Sequence, residues 1–138
     1  MVKKFLSFAF LWFVATSVFA EENEDALIKQ GEALFQSKGC VACHTLTDQR
    51  LVGPGLRGVF DRLEKAGKDE TWLATYLKNP PAMVEKDPYL QKLHQIYQVV
   101  MPNLGLKENE IQALIAYLKV ATQPPKASPS ETQATQKE

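Results

Sequence analysis

Cysteine is nearly missing from this chain, with only Cys40 and Cys43 among 138 residues. They can form at most one disulfide. Histidine is as scarce, with His44 and His94 alone. Charge of one sign is missing too: 16 Lys and Arg balance 16 Asp and Glu, which excludes a nucleic-acid binder by bulk charge. No alternation of apolar and polar residues lasts long enough for a half-buried strand, so a β-rich fold is not expected. No repeat is evident. A membrane-length apolar run is absent as well. The longest, Phe5 to Ala20, has 16 uncharged residues, short of the roughly 20 that a span requires.

That run has other features. Lys3 and Lys4 precede it, "VFA" closes it at Val18 to Ala20, and Glu21 and Glu22 follow. This is the pattern of a secretory signal peptide over residues 1–20, with export to a periplasm expected and a membrane anchor only if it stays uncleaved. Losing Lys3 and Lys4 leaves 14 basic against 16 acidic residues, a net charge of −2. Residues 21–122 form the expected single domain, and 123–138, polar and proline-bearing, an expected disordered tail.

Within the domain the periods are helical. Residues 24–38 place Leu27, Gly31, Leu34 and Phe35 on one face, with Asn23 as expected N-cap and Gly39 as C′ residue. Gly31 costs about 1 kcal/mol in mid-helix against alanine, which a close helix–helix approach would justify. Residues 45–68 hold four glycines and read as a turn-rich loop. A short helix over 69–79 carries Trp72, Leu73, Tyr76 and Leu77, and Pro80 and Pro81 are expected to end it. Residues 87–97 open with Asp87 as N-cap and Pro88 at the first helical position. "VVMPNLG", 99–105, breaks that helix. Residues 107–121 are the clearest case, with Ile111, Leu114, Ile115 and Leu118 in register and a Leu106–Ile111 staple if Lys107 is the N-cap.

The chemistry concentrates in "CVACH", Cys40 to His44. A disulfide or dithiol centre would normally sit beside a βαβ pattern, which is missing. A zinc site from Cys40, Cys43, His44 and His94 lacks the usual spacing. Cys-x-x-Cys-His is the attachment site of a c-type haem. Thiols three residues apart reach two vinyl groups on one porphyrin edge, and the next imidazole reaches the iron. A bound macrocycle also fills a core that a domain of about 100 residues builds poorly alone.

"CVACH", "GPGLRGV" (Gly53–Val59), "MPNLGL" (Met101–Leu106) and "EIQALIAYLK" (Glu110–Lys119) together resemble a monohaem class I cytochrome c across residues 24–121. The resemblance implies an all-α fold of four to five helices around one covalent haem. It implies His44 as proximal and Met101 as distal iron ligand, with the Pro54 carbonyl accepting the proton of His44. Arg57, Trp72 and Tyr76 become candidates to bond or shield the haem propionates. Gly31, Phe35 and Tyr117 would mark the crossing of the first and last helices. Met83 in a loop and His94 in a helix are the competitors for the sixth position. The implied function is one-electron transfer between redox partner proteins by a monomer, without bond-making chemistry. The alternative is a haem subunit or sensor domain with a labile sixth ligand. Segment 80–100, with its own helix, and Lys107 in place of a capping Ser or Thr depart from the common pattern.

Covalent attachment through Cys40 and Cys43 predicts that haem stain stays with the polypeptide on a denaturing gel. Cys40→Ala with Cys43→Ala should abolish the stain.

Overall fold

The computed structural model describes residues 18–125, with side chains described from Asn23. The core of the signal-peptide pattern and the tail from Lys126 lie outside the described residues. Among the described residues, six α-helices and one short 3-10 turn make up the regular structure: α1 Val18–Ser37, the turn Cys40–Ala42, α2 Val59–Lys65, α3 Glu70–Lys78, α4 Pro80–Val84, α5 Pro88–Tyr97 and α6 Glu108–Ala121. No strand occurs among the described residues, so the all-α expectation holds. The helix count exceeds the expected four to five because α2 and α4, both short, form where loop was expected.

The core is an α1–α6 crossing. Ile111 is fully buried, and Leu114, Ile115, Leu118 and Phe35 are nearly so. At the crossing the backbones almost touch. A Cβ built on Gly31 would lie 2.0 Å from the Ala113 carbonyl oxygen and 2.6 Å from Tyr117 Cβ. No side chain fits there, so the glycine is required by packing. Phe35 and Tyr117 flank the contact with ring centroids 5.8 Å apart, within the range where aromatic pairs add to simple burial.

The helix ends follow local chemistry. Gly39, with φ of 78°, takes the left-handed position after α1 and leads into the Cys40–Ala42 turn. The Asp69 and Asp87 side chains cap α3 and α5, accepting from Trp72 N at 2.8 Å and Tyr89 N at 2.9 Å. Lys107 precedes α6, where Glu110 reaches back to the Lys107 amide at 2.8 Å. That is half of a capping box, since a lysine side chain accepts nothing. Leu106 and Ile111 are both buried, as a staple requires.

Three local readings need correction. Asn23 does not cap α1, because the helix already runs from Val18, across the expected 20/21 boundary. Residues 59–65 are helical within the stretch expected to be loop. Gly58 starts α2 with φ of 64°, and its amide bonds Thr122 O at 2.7 Å, tying the helix to the end of α6. Pro80 and Pro81 end α3 but also begin α4. Proline is tolerated in a first helical turn, where its missing N–H costs nothing, and Asn79 caps the new helix.

The crossing makes Gly31→Ala a destabilising change. Helix propensity favours alanine by about 1 kcal/mol, yet overpacking against a backbone carbonyl costs typically about 1–3 kcal/mol or more. The denaturant midpoint of the haem-loaded protein should therefore fall. A higher midpoint would show the crossing to be loose.

Candidate functional site

A cavity of about 460 Å³ opens between the α1–α6 core and a wall made by α3, α5 and the two long loops. Its lining is mainly apolar: Phe35, Leu63, Leu73, Leu77, Leu114 and Leu118 form its inner side. Cys40, Cys43, His44 and Met101 all face it.

The cysteines arrive together for a local reason. After Gly39 the chain makes a tight turn, with Cys43 N bonding Cys40 O at 3.1 Å and His44 N bonding the same oxygen at 2.9 Å. Residues three and four apart in such a turn share a face. Both cysteines are unpaired and half-buried. Burial is the main cause that pushes the Cys40 thiol above its ordinary range, with the Cys43 thiolate adding to it against an opposing backbone hydrogen bond. Thiol redox centres have the opposite shift.

His44 is oriented from behind. Its Nδ1 donates to the Pro54 carbonyl at 2.9 Å, leaving Nε2 as the lone-pair nitrogen. Gly53 makes this possible: a Cβ there would lie 2.7 Å from His44 Cε1 and 3.1 Å from Nδ1. The loop that carries both residues is braced on the cysteine turn. Gly53 N bonds Cys43 O at 2.8 Å, Leu56 N bonds Thr45 O at 2.9 Å, and Thr45 Oγ1 bonds Gln49 O at 2.6 Å.

Met101 lies in the extended segment after α5, half-buried, beside Pro102 and Leu104 on the cavity wall. Met83 sits in α4 and is not among the lining residues. His94 does line the cavity, from an exposed position on α5.

The polar rim differs from expectation. Arg57 is not among the lining residues and pairs with Asp48 at 3.2 Å. Arg62 lines the cavity instead, donating to the carbonyls of Gly55, at 2.8 Å, and Arg57. Sequence reasoning missed Arg62 because it missed α2, whose side chains point back toward the preceding loop. Trp72 lines the cavity with its ring, but its indole N–H is committed to Asp87 Oδ2 at 2.9 Å. It can therefore shield a bound group more readily than donate to it. Tyr76 stacks on Trp72 at 5.7 Å. Burial pushes its phenol up to about 12, so it stays a hydrogen-bond donor at any working pH.

Asp87 is the residue whose reach exceeded expectation. Beyond capping α5, its Oδ2 also accepts from Lys68 Nζ at 2.7 Å. One carboxylate thus joins the α2–α3 connection, the Trp72 ring and the start of α5. Burial acts to raise its pKa, but the hydrogen bonds from Lys68, Trp72 and the Leu90 amide, together with the charge of Lys68, outweigh it and hold the carboxyl below its usual range.

These features fit a covalently held macrocycle: two thiols on one edge, an oriented imidazole, an apolar slot and cations at the rim. A family model described as cytochrome c matches residues 28–122. The chain belongs to the cytochrome c family, and its cofactor is a covalently attached c-type haem. Cytochrome c-551 of Stutzerimonas stutzeri is 41% identical over 56 residues, covering 41% of this chain and 53% of that protein. Cytochrome c-551 of Pseudomonas aeruginosa is 35% identical over 72 residues, covering 52% of this chain and 66% of that protein. The chain thus spans about half to two thirds of the length of these relatives. Among solved structures, cytochrome c from Rhodothermus marinus superposes with a TM-score of 0.63 at 34% identity, over 71% of this chain and 78% of its own. An engineered form of that protein gives 0.62 at 33% identity, over 71% and 79%.

A carboxyl lowered in the folded state stabilises above its unfolded pKa, and that contribution is lost as pH falls through the folded value. Asp87→Asn should cost about 1–3 kcal/mol at neutral pH, since Lys68 and Trp72 would face an amide. The gap to wild type should narrow below about pH 4. Unfolding midpoints of the haem-loaded proteins across that range check it, and a gap that stays constant would show that the charge of Asp87 does not carry the effect.

Proposed function

We propose that the protein is a one-electron carrier, with haem thioether-linked to Cys40 and Cys43 and iron held between His44 and Met101. One observation carries this reading: His44, with Nδ1 committed to Pro54, lines the same cavity as Met101 and both cysteines. The bound haem supplies a ferric–ferrous couple. The chain's own residues keep the iron environment constant between the two states. Gly53 and Pro54 fix the imidazole plane, and the apolar slot excludes water. A thioether opposite histidine raises the reduction potential. Arg62 offers a cation, and Tyr76 a neutral donor, to the propionate side.

Electrons pass at the edge beside the cysteines. There Val41 is 39% and Val52 46% exposed, an apolar surface that suits brief contact with donor and acceptor proteins. None of the described helices is long and apolar enough to cross a membrane. The sequence pattern of residues 1–20 supports export, and with it a periplasmic carrier.

Met101→Ala should abolish the low-spin histidine–methionine signature in absorption and magnetic spectra and lower the potential. Met83→Ala should leave both unchanged. An intact signature in Met101→Ala would overturn the ligand assignment. A high-spin wild type would favour a sensor or oxidoreductase subunit with a labile sixth position.

A further inference from the structure

Helix α5 is fastened mainly at its ends. Of its residues only Leu90 is buried, and its main helical neighbour is α4 rather than the α1–α6 core. Leu90, Leu93, His94 and Tyr97 turn toward the cavity. The helix start is anchored by Asp87 to Lys68 and Trp72. Its end is anchored by Arg50. The guanidinium carbon lies 4.6 Å from the centre of the Tyr97 ring, and Nη2 makes a long hydrogen bond of 3.5 Å to Ile96 O.

Arg50 belongs to the braced loop that also carries Gly53 and Pro54. Met101 follows Tyr97 by only four residues. Between them Gln98 has φ of 58°, the one non-glycine residue in the left-handed region among those described. It ends α5 and directs Val99, Val100 and Met101 along the cavity. The loop that orients His44 is thus pinned to the segment that carries Met101.

We propose that Arg50 and Tyr97 are positioning residues for Met101, and that their pairing sets how readily its sulfur leaves the iron. This rests on Met101 being the sixth ligand. While Arg50 holds the Tyr97 ring, the start of the Met101 segment is fixed relative to the His44 loop, which would keep the Met101 sulfur in reach of a bound iron. When Arg50 releases the ring, the end of α5 moves outward and an external ligand competes better.

The test uses the ferric, haem-loaded protein and imidazole as probe. Guanidinium–aromatic pairs of this strength correspond to about a 2- to 5-fold change in an equilibrium. Arg50→Gln and Tyr97→Leu should each raise the apparent affinity for imidazole by about that factor, and the double variant by no more than either alone. Tyr97→Phe keeps the ring face and should behave as wild type. Unchanged imidazole affinity in Arg50→Gln and Tyr97→Leu would overturn the proposal, and so would altered thermal stability without altered affinity. The wild-type methionine–iron charge-transfer band and the Met101→Ala spectra test the ligand assignment separately. A missing band there sinks that assignment, whereas a present band with unresponsive variants sinks the latch alone.

Discussion

The crossing of α1 and α6 hangs on a missing methyl group. At Gly31 the two backbones approach until a Cβ would sit 2.0 Å from the Ala113 carbonyl oxygen. This closeness puts Phe35 of α1 beside Leu114 and Leu118 of α6 on the inner side of the cavity. Thr122, almost fully buried, then offers its carbonyl to Gly58, so the same helix that closes the core also sets where α2 begins. Arg62 reaches the rim from there. A wider crossing would displace each of these in turn.

Against that core the site is assembled from loops, and each loop is made stiff by its own hydrogen bonds. The Cys40–His44 turn, the Gly53–Pro54 corner and the Thr45–Gln49 hydrogen bond brace one another on the proximal side. On the distal side the segment around Met101 has fewer internal bonds and depends on α5, which is held mainly at its ends. The asymmetry suits the chemistry. On the His44 side the hydrogen bonds fix a tautomer and a ring plane, while under the proposed ligation the Met101 side closes over a group already attached. The haem itself completes a core that a chain of this size fills poorly by itself.

Much of this is legible in the sequence. Asp87 and Pro88 announce α5, the register of Ile111, Leu114, Ile115 and Leu118 announces α6, and the awkward glycine at 31 announces a close approach. These signals are local: caps, periods and the steric cost of one residue. What the sequence hides has a common cause as well. α2 is seven residues long and starts after a glycine-rich loop, so its period is too short to see, and Arg62 goes unnoticed with it. Pro80 and Pro81 read as a terminator because proline ends one helix and begins another equally well. Trp72 is recognisable as a candidate, and it lines the cavity, but the commitment of its N–H to Asp87, 15 residues away, is hidden.

By itself the sequence determined the attachment chemistry and the helical class, and it singled out His44 beside the two thiols. Spacing within five residues is fixed by covalent geometry and survives any packing. Only the tertiary structure decided which arginine faces the cavity, which methionine lines it, and which carboxylate and guanidinium hold α5 at its ends. Those choices join residues far apart in the chain across a few ångströms, and no local period encodes a distance between loops. The motif states what is bound, and the fold decides which distant residues surround it.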